Sequence, residues 1–208
     1  MEVVPVTAFQ QNCSLLVERS SKRAALVDPG GQPDVIRAAI ERAGVQVEEI
    51  LITHGHCDHA GATGPLAREL GVPVIGPQKE DRFWIESLPV QASSFGLEPA
   101  EAFEPDRWLE GGDRVALGGL ELEVLHCPGH TPGHVVFFHR ESAFCVVGDV
   151  IFQGGIGRTD FPRGDHATLL RSIREELWPL GDEVTFLPGH GPQSTLGHER
   201  RTNPFLRP

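Results

Sequence analysis

ILITHGHCDHAG, residues 50–61, runs a short apolar segment straight into three histidines and an aspartate. Residues 49–53 read as a buried strand, and His54, His56, Asp58 and His59 follow its end. In a tight loop alternate side chains can point the same way. His54 and His56 can therefore share one ion, leaving Asp58 and His59 to turn toward a second. Neutral imidazole and carboxylate are good ligands for zinc, iron or manganese.

Outward from this loop the same arrangement recurs three times. His130 follows a predicted strand over 119–125, Asp149 one over 144–148, and His190 one over 184–187 by way of Pro188-Gly189. Ends of neighbouring strands lie close in space, and α/β proteins place sites there. The chain has ten histidines, so some clustering is expected by chance. A His-x-His-x-Asp-His run directly after an apolar strand, matched by three further strand ends, is not. His126, His134, His139, His166 and His198 stay outside the set; His126 and His134 flank His130 and read either as partners of ligands or as structural residues. Cys57, the one thiol inside the loop, is a competing ligand for zinc on its chemistry, but the favoured reading is a side chain that packs away from the ions, and Cys127 reads the same way.

The rest of the chain supplies the frame. Strands are predicted over 3–6, 14–18, 24–28, 72–75 and 135–139, and helices over 33–43, 64–70, 79–88 and 165–178. Leu169, Leu170, Ile173 and Leu177 form the inward face of the last helix. Residues 89–106 read as a loop over the site. Strand runs with helices between them imply an α/β layered domain over 1–208, with two sheets face to face and helices outside. Periodicity alone does not select that architecture.

Composition narrows the partners. Lys and Arg number 18 against 29 Asp and Glu, a formal charge of −11. Non-specific nucleic-acid binding depends on basic residues, so no nucleic acid is expected. Cys13, Cys57, Cys127 and Cys145 form no C-x-x-C pair and read as reduced thiols of a cytoplasmic protein. No leader pattern or membrane-length apolar run is present, so no membrane partner is expected. The sequence leaves the oligomeric state open.

THGHCDHAG, PGHTPGH, the Gly-Asp at Asp149 and PGHGP together resemble the metallo-β-lactamase superfamily. PVTAFQQNCSLLV, ALVDPGG, GVPVIGPQKEDRFWIESLP, GDVIFQGGIGRTDFPRGDH and VTFLPGHGPQSTLGHERRTNPF extend the likeness to the short bacterial glyoxalase II (hydroxyacylglutathione hydrolase) type. The resemblance implies a four-layer αβ/βα sandwich. It implies two divalent metal ions, zinc foremost with iron or manganese as alternatives. His54, His56 and His130 would hold the first, and Asp58, His59 and His190 the second. Asp149 and a metal-bridging hydroxide would lie between them.

The expected reaction is hydrolysis of a glutathione thioester, S-D-lactoylglutathione, to D-lactate and glutathione. Thiolate is a good leaving group, so no strong general acid is required, and Asp58 is a candidate acceptor of the water's proton. Arg158, in QGGIGRTDFPR, reads either as a substrate-carboxylate site or as a partner of Asp160. Longer glyoxalase II enzymes hold glutathione with a helical C-terminal region that has no counterpart here, and this chain has no tyrosine to contribute to such a grip. The alternative is a persulfide dioxygenase of the same superfamily, with one iron on His54, His130 and Asp149. A lactonase, a β-lactamase, a nuclease and a pure binding module rank below it.

Overall fold

The computed structural model describes residues 1–207. Its first sheet is five-stranded in the order β1-β2-β3-β4-β5, formed by Glu2–Val6, Gln11–Val17, Arg23–Val27, Gln46–Leu51 and Val74–Ile75. Strands β3, β4 and β5 run parallel, and β1–β2 and β2–β3 are antiparallel. The second sheet is six-stranded. Its strands are β6 (Arg114–Leu117), β7 (Leu120–His126), β8 (Val135–His139), β9 (Phe144–Gly148), β12 (Thr185–Pro188) and β13 (Ser194–Thr195), and β12 lies parallel to β9. Between β9 and β12 in sequence, β10 (Ile151–Phe152) and β11 (Gly155–Ile156) form a separate hairpin.

The two faces of each sheet alternate in what they bury, because successive strand side chains point to opposite sides. In β3, Ala25 and Val27 pack between the sheets with Leu51, Val124 and Phe137. Leu26, between them in sequence, packs outward with Ile36 and Ala39 of α1 (Pro33–Ala43) and Leu66 of α3 (Thr63–Leu70). In β8, Phe137 faces the other sheet, whereas Val136 and Phe138 face Leu169 and Ile173 outside. Three cores thus separate four layers: helices, sheet, sheet, helices. Sheets buried on both faces account for the near-continuous apolar strands.

Several boundaries differ from expectation. The helix predicted over 165–178 is α6 (His166–Ser172), capped by Asp165 accepting from the Thr168 amide, then a π-turn over Ile173–Leu177 and a 3-10 turn over Trp178–Leu180. Positions 169, 173 and 177 would drift around a 3.6-residue helix, and the wider π-turn reverses that drift, so all three side chains stay buried. Leu170, expected inward, is only half-buried. Helix also extends past residue 88. After α4 (Arg82–Glu86), α5 spans Leu88–Phe95, with Pro89 in its first turn and Gly96 in a left-handed stop. Strand β6 and helix α7 (Leu196–Thr202) were not anticipated; Thr195 caps α7 by accepting from the His198 amide.

Candidate metal centre

One end of the sandwich gathers the strand ends. Chain leaving β4 passes Ile52 and Thr53 to His54, and a single helical turn, α2 (Cys57–Ala60), begins just after His56. The turn is closed by the His59 and Ala60 amides donating to the His56 carbonyl. His130 lies in the β7–β8 connection, Asp149 follows β9, and His190 follows β12. All seven predicted residues meet there.

Their donor atoms form two groups. His56 Nδ1 lies 3.1 Å from His54 Nε2 and 3.0 Å from His130 Nε2. His190 Nε2 lies 3.2 Å from Asp58 Oδ2, and His59 Nε2 lies 3.9 Å from the same oxygen. Asp149 faces both: Oδ1 is 3.3 Å from His59 Nε2, and Oδ2 is 3.6 Å from His130 Nε2 and 3.7 Å from His190 Nε2. Close packing is built into the backbone, since a Cβ on Gly189 would stand 2.1 Å from Asp149 Oδ1.

The outer ring nitrogens fix the tautomers. His130 Nδ1 donates to the Arg158 carbonyl at 2.7 Å and His190 Nδ1 to the Phe9 carbonyl at 3.1 Å. Thr53 gives its hydroxyl proton to Asp28 Oδ2 at 2.6 Å, so its oxygen accepts from His54 Nδ1 at 3.0 Å. His59 Nδ1 donates to Asp28 Oδ2 at 2.9 Å. Each of these rings therefore turns a bare Nε2 inward. The bare Nε2 atoms of His54 and His130 converge on His56 Nδ1 in a buried space, and the outer Nε2 of His56 has no hydrogen-bond partner, an arrangement that a cation held by all three rings would satisfy. His59 Nε2 and Asp149 Oδ1 are likewise buried without a hydrogen-bond partner. The donor set fits metal ions.

Electrostatics divide the site. Burial pushes the pKa of His54 and His56 well below the usual imidazole value, and neighbouring rings add to the effect. Burial also opposes charge on His59, but Asp149 and Asp58 outweigh it and raise its pKa. Asp149 is held far below the usual carboxylate range despite its burial, chiefly by His59. The carboxylate-rich half favours positive charge, which a metal cation supplies.

Three further residues support the site, two of which, Asp28 and Asp81, the sequence reading does not single out. Asp28, in ALVDPGG, holds His59 and, through Thr53, His54; its position at the end of a predicted strand was the available signal. Asp81 is buried and accepts from the Gly55 amide, the Thr131 hydroxyl and the Gly133 amide, fastening the two histidine loops together. Burial pushes its pKa up to about 6. His134, left undecided above, accepts from the Asp149 amide at 3.0 Å and stacks on His54 with ring centroids 4.7 Å apart. His126 instead bonds the Pro132 carbonyl.

A cavity of about 500 Å³ opens onto the cluster, lined on its apolar side by Phe9, Trp84, Phe95, Phe152, Ile156 and Phe161. Gln91 and Phe95 are the part of segment 89–106 that reaches it. Arg158 lines it too, yet its guanidinium is bonded to Asp160 at 2.7 and 2.6 Å and lies 4.2 Å over the Phe161 ring. The Cys57 side chain belongs to the helix-side core, and burial pushes its thiol up to about 12.

A family model described as the metallo-beta-lactamase superfamily matches residues 6–190. The chain belongs to this superfamily. Among its members, a hydroxyacylglutathione hydrolase, GloC, of Haemophilus influenzae is 50% identical across 99% of this chain and 97% of its own. A probable metallo-hydrolase, YqgX, of Bacillus subtilis is 37% identical across 98% and 95%. Of solved superfamily structures, TTHA1623 in a di-iron-bound form superposes with a TM-score of 0.91 at 38% identity, covering 99% of this chain and all of that one. The B3 metallo-beta-lactamase BLEG-1 superposes with a TM-score of 0.90 at 35% identity, covering 99% and 98%. This superfamily member is a metallohydrolase with His/Asp clusters suited to a pair of divalent ions. No helix among its described residues is long and apolar enough to cross a membrane.

Proposed function

We infer that the protein hydrolyses a glutathione thioester, S-D-lactoylglutathione, with a pair of divalent ions, zinc foremost. His54, His56 and His130 would hold one ion and Asp58, His59 and His190 the other, with Asp149 a donor within reach of both groups. The observation that carries this reading is the second group. Asp58, His59 and His190 converge within 4.8 Å of one another, beside an already sufficient trio of histidines. Half identity to a hydroxyacylglutathione hydrolase over nearly the full chain supports the substrate.

When bound, such ions acidify water and polarise a carbonyl. The residues do the rest. Water adds to the thioester carbonyl carbon, the C–S bond breaks, and a carboxylate and a thiol leave. Asp58 lines the cavity with its Oδ2 beside His190, a position from which it can take the water's proton. Asp28, Thr53, Arg158 and Phe9 hold the rings through side-chain or carbonyl oxygens, so little reorganisation accompanies the reaction.

Hydrolysis of S-D-lactoylglutathione by purified protein, alongside metal analysis, tests the reading. Thioester turnover with two ions per chain is expected. One iron per chain, with oxygen consumed on glutathione persulfide and no thioester turnover, would replace it with the dioxygenase.

A further inference from the structure

Resting on the thioesterase reading, we propose that specificity resides in the acyl group: the aromatic cavity recognises an apolar acyl chain, and the thiol carrier is held only weakly. The lining explains why. Trp84 and Phe161 lie edge-on to the His56 ring, with centroids 4.5 and 5.0 Å away, so apolar surface begins directly beside the ligand cluster. Phe152 approaches His190 from the other side, at 6.3 Å. At the mouth, Phe9 and Phe95 meet edge-to-face at 6.0 Å. They come from distant parts of the chain and remain 44% and 48% exposed. Large exposed aromatics gathered around one opening mark a binding surface rather than a folding core.

The charges point the same way. Glutathione brings two carboxylates and one ammonium. The cavity lining offers one basic side chain outside the histidines, Arg158, already engaged through both arms of its fork by Asp160. A substrate carboxylate gains that contact only by displacing another carboxylate, a near-even exchange at the surface. The net charge of −11 adds no long-range attraction for an anionic carrier. At about 500 Å³, the cavity has room for an acyl chain beside the thioester.

The metal-loaded protein would be assayed with acetyl, lactoyl and hexanoyl thioesters of glutathione and of N-acetylcysteamine, a neutral thiol lacking both carboxylates. Going from glutathione to N-acetylcysteamine is expected to lower kcat/KM by no more than about fivefold, the ceiling for an exposed ion pair. Going from acetyl to hexanoyl is expected to raise it, by about fourfold per methylene that is buried. Phe95→Ala should raise KM for hexanoyl more than for lactoyl thioesters at unchanged metal content. A larger loss on truncating the thiol, or a hexanoyl thioester no better than acetyl, overturns the inference while leaving the thioesterase reading intact. No turnover of any of these thioesters by metal-loaded protein brings down that reading and this inference together.

Discussion

Asp28 Oδ2 accepts a hydrogen bond from His59 Nδ1 at 2.9 Å, although the two residues stand 31 positions apart. The same oxygen accepts from the Thr53 hydroxyl, which in turn receives His54. One carboxylate therefore orients rings from both donor groups. Asp28→Ala is expected to weaken metal affinity about ten- to a hundredfold, the usual cost of losing a partner behind a ligand. Titration with a competing chelator would measure it; unchanged affinity would remove Asp28 from the account.

Removing the metals should cost stability as well as activity. The bare Nε2 atoms and the buried Asp149 crowd unlike a packed core, and ions bind only the folded arrangement. Adding metal at a hundred times its dissociation constant should stabilise the protein by about 2.7 kcal/mol for each ion bound. Thermal unfolding of stripped and reloaded protein reads this directly, and equal Tm values would contradict it.

Glu49 provides a pH signature away from the site. Burial, helped by Glu48, pushes its carboxyl up from 4.5 to about 7. The folded state thus holds the proton more tightly than the unfolded chain. The associated stability is full below about pH 4.5 and is lost as pH rises through 7. Glu49→Gln should match the parent at pH 4 and exceed its Tm increasingly up to pH 8. A constant difference across that range would argue against a buried, titrating Glu49.

Arg158→Ala should raise KM for S-D-lactoylglutathione by no more than about fivefold and leave kcat nearly unchanged, since the guanidinium is shared with Asp160. A collapse of kcat would place the side chain at the reacting atoms instead.

Asn203 ties α7 to the cavity wall. Its Nδ2 donates to the Gly155 carbonyl at 2.9 Å and to Glu199 Oε2 at 2.9 Å, while that oxygen also accepts from the Gly154 amide at 2.8 Å. Asn203→Ala should cost about 1–3 kcal/mol of stability by leaving buried acceptors unpaired. It should also raise KM, because Phe152 and Ile156 sit on that hairpin, with metal content unaffected. Unfolding curves, kinetics and metal analysis on one preparation would separate these effects.

The seven candidate donors that the structure brings together were legible in the sequence because metal ligation demands particular side chains at strand ends, and both features are local. His54 and His190 could be placed from their apolar strands alone. What binds those donors in position was less visible. Asp81 acts through backbone amides of Gly55 and Gly133, contacts set by tertiary packing that no spacing encodes. Helix α5 was obscured by Pro89, which reads as a breaker inside a helix yet is at home in its first turn. Helix α7, seven residues long and mostly polar, lacks the apolar stripe that marked α1. The clasp it makes through Glu199 and Asn203 was correspondingly hidden.

The His54–His59 loop extends from the first sheet, whereas His130, Asp149 and His190 extend from the second. His130 enters the chain 74 residues after His56, and His190 is the last of the seven to be synthesised. A nascent chain therefore displays a half-built chelate for most of its translation. An ion held by Asp58, His59 and His190 would have to wait until β12 has docked beside β9, which would make its capture a closing event in maturation and a rivet between the two halves of the finished molecule.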